Sequence, residues 1–166
     1  AVIRNSLVVG TRSSMGAIAS IISGAKAYNC TFVVPADKTK ADNFTFTYST
    51  GATIKNCAFF GVTDTPDAAS GTYTTCYTDD ATPPAGCTTA TYANQFVDSS
   101  TLSSADYRLK SGADCINNGT TDATNAANDI VGTARPQGAA YDVGCWELIP
   151  AGGGLLPAAR RLEDLR

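Results

Sequence analysis

Asp79 and Asp80 form an adjacent carboxylate pair, the residue type that glycoside hydrolysis uses for acid and base work. Their spacing argues against that role. Neighbours in a strand point to opposite faces, and an inverting site needs its second carboxylate about 6.5–9.5 Å away across a cleft. The pair also precedes the turn-forming run Pro83-Pro84-Ala85-Gly86, so both residues are expected to be solvated loop positions. The chain has no histidine, which removes the common Ser-His and Cys-His nucleophile pairs and any imidazole metal site. No cofactor or metal is expected, and the reading leans away from an enzyme.

The six cysteines lack the close CxxC spacing of a zinc site. Cys30 and Cys57 occupy the same place in an internal repeat, where Ser6 stands first. They read as a stack of small buried side chains. Stacked neighbours lie about 4.8 Å apart, so a bond between them is possible without being required. Cys76 and Cys87 flank the Pro-Pro loop and could close it as a disulfide in an oxidising setting, and Cys115 and Cys145 could also pair. Three stretches match the N-glycosylation pattern, at Asn29, Asn43 and Asn118. Of these only Asn43, in a loop, is worth testing by mass.

The elements that position these residues follow from one repeated phrase. Ile3-Arg4-Asn5-Ser6-Leu7-Val8, Ala27-Tyr28-Asn29-Cys30-Thr31-Phe32 and Ile54-Lys55-Asn56-Cys57-Ala58-Phe59 share the order apolar, any, Asn, small, any, bulky apolar. The second and third align at an offset of 27 residues and the first precedes the second by 24. Repetition at this period with strand-type spacing predicts an all-β fold coiled as a parallel β-helix. Ala17–Ile21 and Phe44–Tyr48 alternate with period two and read as strands with one buried face. Gly24 and Gly51 mark turns. Asn5, Asn29 and Asn56 are apt corner residues, because Asn tolerates left-handed backbone and its amide can bond the same residue one layer away.

The chain divides into β-helix rungs over 1–90, a closing segment over 91–148, and a triple-Gly link with a short tail over 149–166. Its 12 basic residues are scattered against 15 acidic ones, so no concentrated basic face is available for nucleic acid. No apolar run approaches the roughly 20 residues of a membrane span. The chain begins without Met or a signal-peptide pattern, inside a strand-like phrase, and reads as a trimmed product or the C-terminal part of something longer. Val2, Ile3, Leu7, Val8 and Val9 would then face water at an uncapped end. Such an edge invites pairing with another chain, a preceding segment or a further copy. The Leu-rich stretch Leu155–Leu165 could serve as a docking arm there.

Downstream of the repeat come Phe96-Val97, Asp106 to Leu109, Ser111 to Gly119, Asp129 to Pro136 and Asp142 to Glu147. This order of phrases resembles the C-terminal region of right-handed parallel β-helix proteins of the pectin-lyase-like superfamily, closest to bacterial choice-of-anchor surface proteins. Ala113-Asp114 and Asn117 depart from the family pattern of Ser-Pro and Asp. The tail after Glu147 has no recognisable anchor. The resemblance implies an extracellular or surface-exposed scaffold, bacterial or virion, and leaves activity open, since one such fold hosts lyases, hydrolases and adhesins. A lyase would need a Lys or Arg base and calcium-binding Asp residues. Lys26 and Lys55 read instead as a solvent-facing ladder, and Asp64 and Asp67 lack a third ligand at calcium-loop spacing. Arg108, Arg135, Asp142 and Glu147 are expected to lock the closing segment onto the last rung through a buried Arg–carboxylate pairing. The chain is therefore read as a non-catalytic structural or adhesive element of a larger surface assembly: a bacterial surface protein, an extracellular filament or a virion spike. Two alternatives remain: the terminal piece of a polysaccharide lyase or hydrolase, and a carbohydrate-binding module stacking sugars on Tyr48, Tyr73, Tyr77 or Tyr92.

Overall fold

The computed structural model describes residues 1–10, 24–37, 51–61, 71–101 and 106–150. The strands expected at 17–21 and 44–48 lie outside these, as do Asn43, Tyr48, Asp64, Asp67 and the stretch 155–165.

The described chain is mostly β, with parallel sheets and little helix. Each copy of the repeated phrase makes two three- or four-residue strands separated by its corner. Strands β1 (Val2–Arg4), β3 (Lys26–Tyr28), β5 (Ala52–Lys55) and β7 (Gly71–Thr74) form one parallel sheet in that order. Strands β2 (Leu7–Val9), β4 (Thr31–Val33), β6 (Ala58–Phe60), β8 (Cys76–Thr78) and β9 (Cys87–Thr89) form a second. The register reproduces the repeat: Ile3 pairs with Ala27, and Ala27 with Ile54. The next partner of Ile54 is Tyr73, only 19 residues on, so the stacking continues where the phrase is no longer readable. There the chain again forms two short strands, β7 and β8, broken at Thr75.

Alternation within each strand divides the side chains between two cores. Ala27, Cys30, Phe32, Ile54, Cys57, Phe59, Tyr73 and Cys76 face inward as one buried cluster, with Phe32 and Phe59 stacked at 5.3 Å and 5°. The intervening residues of the second sheet, Val33, Ala58 and Phe60, are buried on its other face against the closing segment. Burial on both faces explains why β4 and β6 read Thr-Phe-Val and Ala-Phe-Phe, with no polar alternation.

The outer cover consists of a 3-10 turn at Tyr92–Asn94, an antiparallel pair β10 (Phe96–Asp98) and β11 (Asp106–Leu109), and a one-turn helix α1 (Ala123–Ala126). Phe96 stands edge-on to both Phe60 and Tyr107 at 5.5 Å, which fixes the hairpin to the second sheet. Tyr92 stacks on Phe60 and donates its hydroxyl to the Val34 carbonyl at 2.7 Å.

Candidate functional site

The corner residues form the first candidate site. Asn5, Asn29 and Asn56 have φ of 44°, 49° and 54°, in the left-handed region that Asn reaches more easily than other residues bearing a Cβ. Two more corners continue the row: Thr75 at φ 54° and Gly86 at φ 89°. Sequence reading missed both. A β-branched residue is a poor left-handed candidate, and Gly86 sits in an apparent loop. A Cβ on Gly86 would lie 2.1 Å from the Tyr73 carbonyl oxygen, so the close approach demands glycine.

The corner row also holds the closing segment. Asn56 Nδ2 donates to Asn29 Oδ1 at 3.3 Å, the one rung of the expected amide ladder that forms among the described residues. The same Nδ2 donates to the Thr120 carbonyl at 2.6 Å, and Asn56 Oδ1 accepts from the Thr120 N–H at 2.8 Å. Asn29 Nδ2 donates to the Asp142 carbonyl at 3.3 Å. The Gly144 N–H reaches the Asn56 carbonyl at 2.9 Å. Thr75 and Thr120 share a hydroxyl hydrogen bond of 2.6 Å. Further along, Lys55 pairs with Asp122 at 3.4 Å and Arg4 donates to Asn125 at 3.2 Å. The segment therefore runs along the row of corners, reaching each layer from Arg4 to Thr75, and is not confined to the last rung. Asn5 Oδ1 is buried without a hydrogen-bond partner.

The expected Arg–carboxylate lock has a different membership. The side chains of Arg135 and Glu147 are fully buried, and Arg135 Nη1 meets Glu147 Oε2 at 2.9 Å. Arg135 also donates to the carbonyls of Asp142 at 3.0 Å and Gly144 at 2.9 Å. The Asp142 carboxylate accepts instead from the N–H groups of Asn117 at 2.7 Å and Leu148 at 2.6 Å. Glu147 accepts from the N–H groups of Gln137 at 2.8 Å and Asp142 at 3.0 Å. Burial pushes both carboxyls above the ordinary carboxylate range, against the pull of these hydrogen bonds and of Arg135. Arg108 stands apart. Its side chain is exposed and pairs with Asp106 two residues before it on β11, which holds the Asp106 carboxyl below its usual range. Asn117, at φ 56°, accepts the Ala140 N–H through Oδ1.

The remaining candidates are dispersed. Asp80 is buried, contrary to the expected solvated pair, and its carboxylate accepts the Thr82 N–H at 2.8 Å. Asp79 accepts the Gly61 N–H at 2.9 Å. Lys26 lies opposite Thr53 and Lys55 opposite Tyr28, so the two lysines do not form a ladder. Tyr73 belongs to the inner cluster, whereas Tyr77 and Tyr92 pack on the outer one, so these three rings do not share a face. All six cysteines are free thiols. Cys76 and Cys87 are register partners, while Cys115 and Cys145 are buried in the closing segment.

The second candidate site is the edge formed by β1 and β2. Each pairs with a single neighbour among the described strands. Val2 is 51 % exposed, and Ile3, Leu7, Val8 and Val9 are half-buried, while their counterparts Ala27, Phe32 and Val33 are at most 1 % exposed. The Asn5 and Gly10 N–H groups bond inward to the Tyr28 and Val33 carbonyls. By the alternation of a parallel ladder, the backbone groups of Val2, Arg4, Leu7 and Val9 point to the open side. No helix of the described residues is long and apolar enough to cross a membrane.

No family model, curated protein or solved structure matches this chain.

Proposed function

We propose that this chain is a non-catalytic structural module, a right-handed parallel β-helix of the kind found in bacterial choice-of-anchor surface proteins. In this reading it belongs to a larger extracellular or virion-surface assembly, joined through the edge at β1 and β2 by another chain or a further copy. The observation that carries the reading is that edge: half-buried apolar side chains beside backbone groups that pair with no described strand. A parallel strand laid on it would bury both at once. The use of the acidic groups agrees with a structural role. Asp79, Asp80, Asp129, Asp142 and Glu147 all accept backbone N–H groups, an arrangement that holds loops in place.

Sedimentation velocity over a range of concentrations tests the reading. The chain is expected to associate as concentration rises. Val9→Pro removes an outward N–H without touching the inward ladder, and Val2→Lys places a charge on the exposed strand. Both variants are expected to weaken association and to keep the β circular dichroism spectrum. A monomer at every concentration rules out a further copy as the partner, and association untouched by both variants contradicts the use of this edge.

A further inference from the structure

Each corner residue is followed by a small side chain: Ser6, Cys30, Cys57, Cys76 and Cys87. Four of the five are thiols, and the strand register makes them consecutive neighbours. Cys76 is paired with Cys87 across β8 and β9. The Cys30 carbonyl accepts the N–H of Ala58, the residue after Cys57, and the Cys57 carbonyl accepts that of Tyr77, the residue after Cys76. Cys30, Cys57 and Cys76 are fully buried in the inner cluster, and half-buried Cys87 packs against it.

We propose that this thiol column is a site of oxidative modification that closes as two disulfides, Cys30–Cys57 and Cys76–Cys87. Adjacent strands lie about 4.8 Å apart, inside the roughly 4.4–6.8 Å between α-carbons that a disulfide spans. Strands two layers apart lie at about 9.6 Å, beyond reach. Four cysteines can pair in three ways, and this is the only one that joins neighbouring layers throughout. In the reduced state the thiols donate to backbone carbonyls, Cys30 to Tyr28 at 3.3 Å, Cys57 to Lys55 at 3.4 Å and Cys76 to Thr74 at 3.6 Å, so no side-chain partner has to be displaced for the sulfurs to join.

Cys115 and Cys145 stand outside the column. Cys115 belongs to the outer cluster, and the Cys145 N–H bonds Thr31 Oγ1 on the outward face of β4. The second sheet separates both from the four stacked thiols.

In each closure two S–H bonds break and one S–S bond forms. The two electrons and two protons pass to a small-molecule disulfide such as oxidised glutathione, which leaves as two thiols. Burial pushes the Cys57 thiol up, the neighbouring Cys76 together with burial does the same for Cys87, and the neighbouring Cys57 lowers Cys30. Cys30, Cys57 and Cys76 are sealed from solvent in the folded protein, out of reach of a soluble disulfide, so closure belongs to folding and the finished bonds exchange slowly. This inference does not depend on how the β1–β2 edge is covered.

The test is to unfold and reduce the full chain, refold it in a mixture of oxidised and reduced glutathione, alkylate the remaining thiols and map the linked peptides. The expected product has lost about four hydrogens, carries alkyl groups at Cys115 and Cys145 only, and yields the two linked pairs. Six alkylated cysteines, a Cys57–Cys76 link, or a link to Cys115 or Cys145 as the main product overturns the proposal. Cys87→Ser supplies an independent reading. It is expected to keep Cys30–Cys57 and leave Cys76 alkylated, and capture of Cys76 by Cys57 in that variant overturns the pairing.

Discussion

The first layer of the stack and the two that follow are built from the same phrase but sit in different surroundings. In the first, Asn5 has a bare Oδ1, and Ile3 and Val8 are half-buried. In the next two, Asn29 and Asn56 are tied to each other and to the closing segment, and Phe32 and Phe59 are sealed within the core. A neighbour on both sides, plus the closing segment along the corners, turns the same residue types into buried, bonded ones. What a residue contributes here is set by its place in the stack more than by its type.

Removing what holds the inner layers should therefore do far more damage than the same change in the first. Arg135→Ala leaves Glu147 as a buried carboxylate without its counter-charge and strands two carbonyls, and should destabilise the fold by about 3–5 kcal/mol. Arg108→Ala, at an exposed pair, should stay within about 0.5 kcal/mol. Urea unfolding of the two variants gives the contrast directly. Phe59→Ala should lose about 3–5 kcal/mol, whereas Val8→Ala, in a half-open layer, should lose about 1 kcal/mol. Equal losses would mean that the first layer is as well packed as the others.

The corner residues offer a finer comparison. Asn5→Ala and Asn56→Ala share the same left-handed backbone penalty, so their difference isolates the side-chain hydrogen bonds. The Asn56 variant should be less stable than the Asn5 variant by about 1–3 kcal/mol.

The smallest effect concerns pH. Asp142 and Glu147 titrate above the ordinary range in the folded protein, so the native state takes up protons before the unfolded chain does. Their contribution is fully present below the unfolded carboxylate value of about 4 and is lost as pH rises through the higher folded value. Glu147→Gln should accordingly show a shallower fall in urea midpoint between about pH 4 and 7 than the parent chain.

Much of the stack was legible in the sequence. Asn in a repeated strand-corner-strand phrase marks left-handed corners, and the offsets between phrases match the observed register. The legibility ended where residue type stopped reporting geometry. Thr75 takes the same corner conformation as the asparagines, held by its hydroxyl contact with Thr120, and Gly86 takes it because the Tyr73 carbonyl leaves no room for a side chain. The course of the closing segment was not legible at all. It depends on contacts such as Asn56 with Thr120 and Arg4 with Asn125, between residues far apart in the chain with no local signature. A buried Arg–carboxylate pairing was legible but its partners were not: Arg135 pairs with Glu147, whereas Asp142 binds Arg135 through its carbonyl and uses its carboxylate on backbone N–H groups. Arg108 looked like a member of the lock but pairs with Asp106 on its own strand.

The central claim is that the β1–β2 edge exists to be covered. Amide hydrogen exchange measured at low and high protein concentration, read at Val2, Arg4, Leu7 and Val9, tests it most directly. The account predicts that these four amides exchange rapidly in dilute protein and become protected on association, while the inward amides of Asn5 and Gly10 change little. Protection that appears elsewhere, or outward amides that stay unprotected in the associated protein, would contradict it.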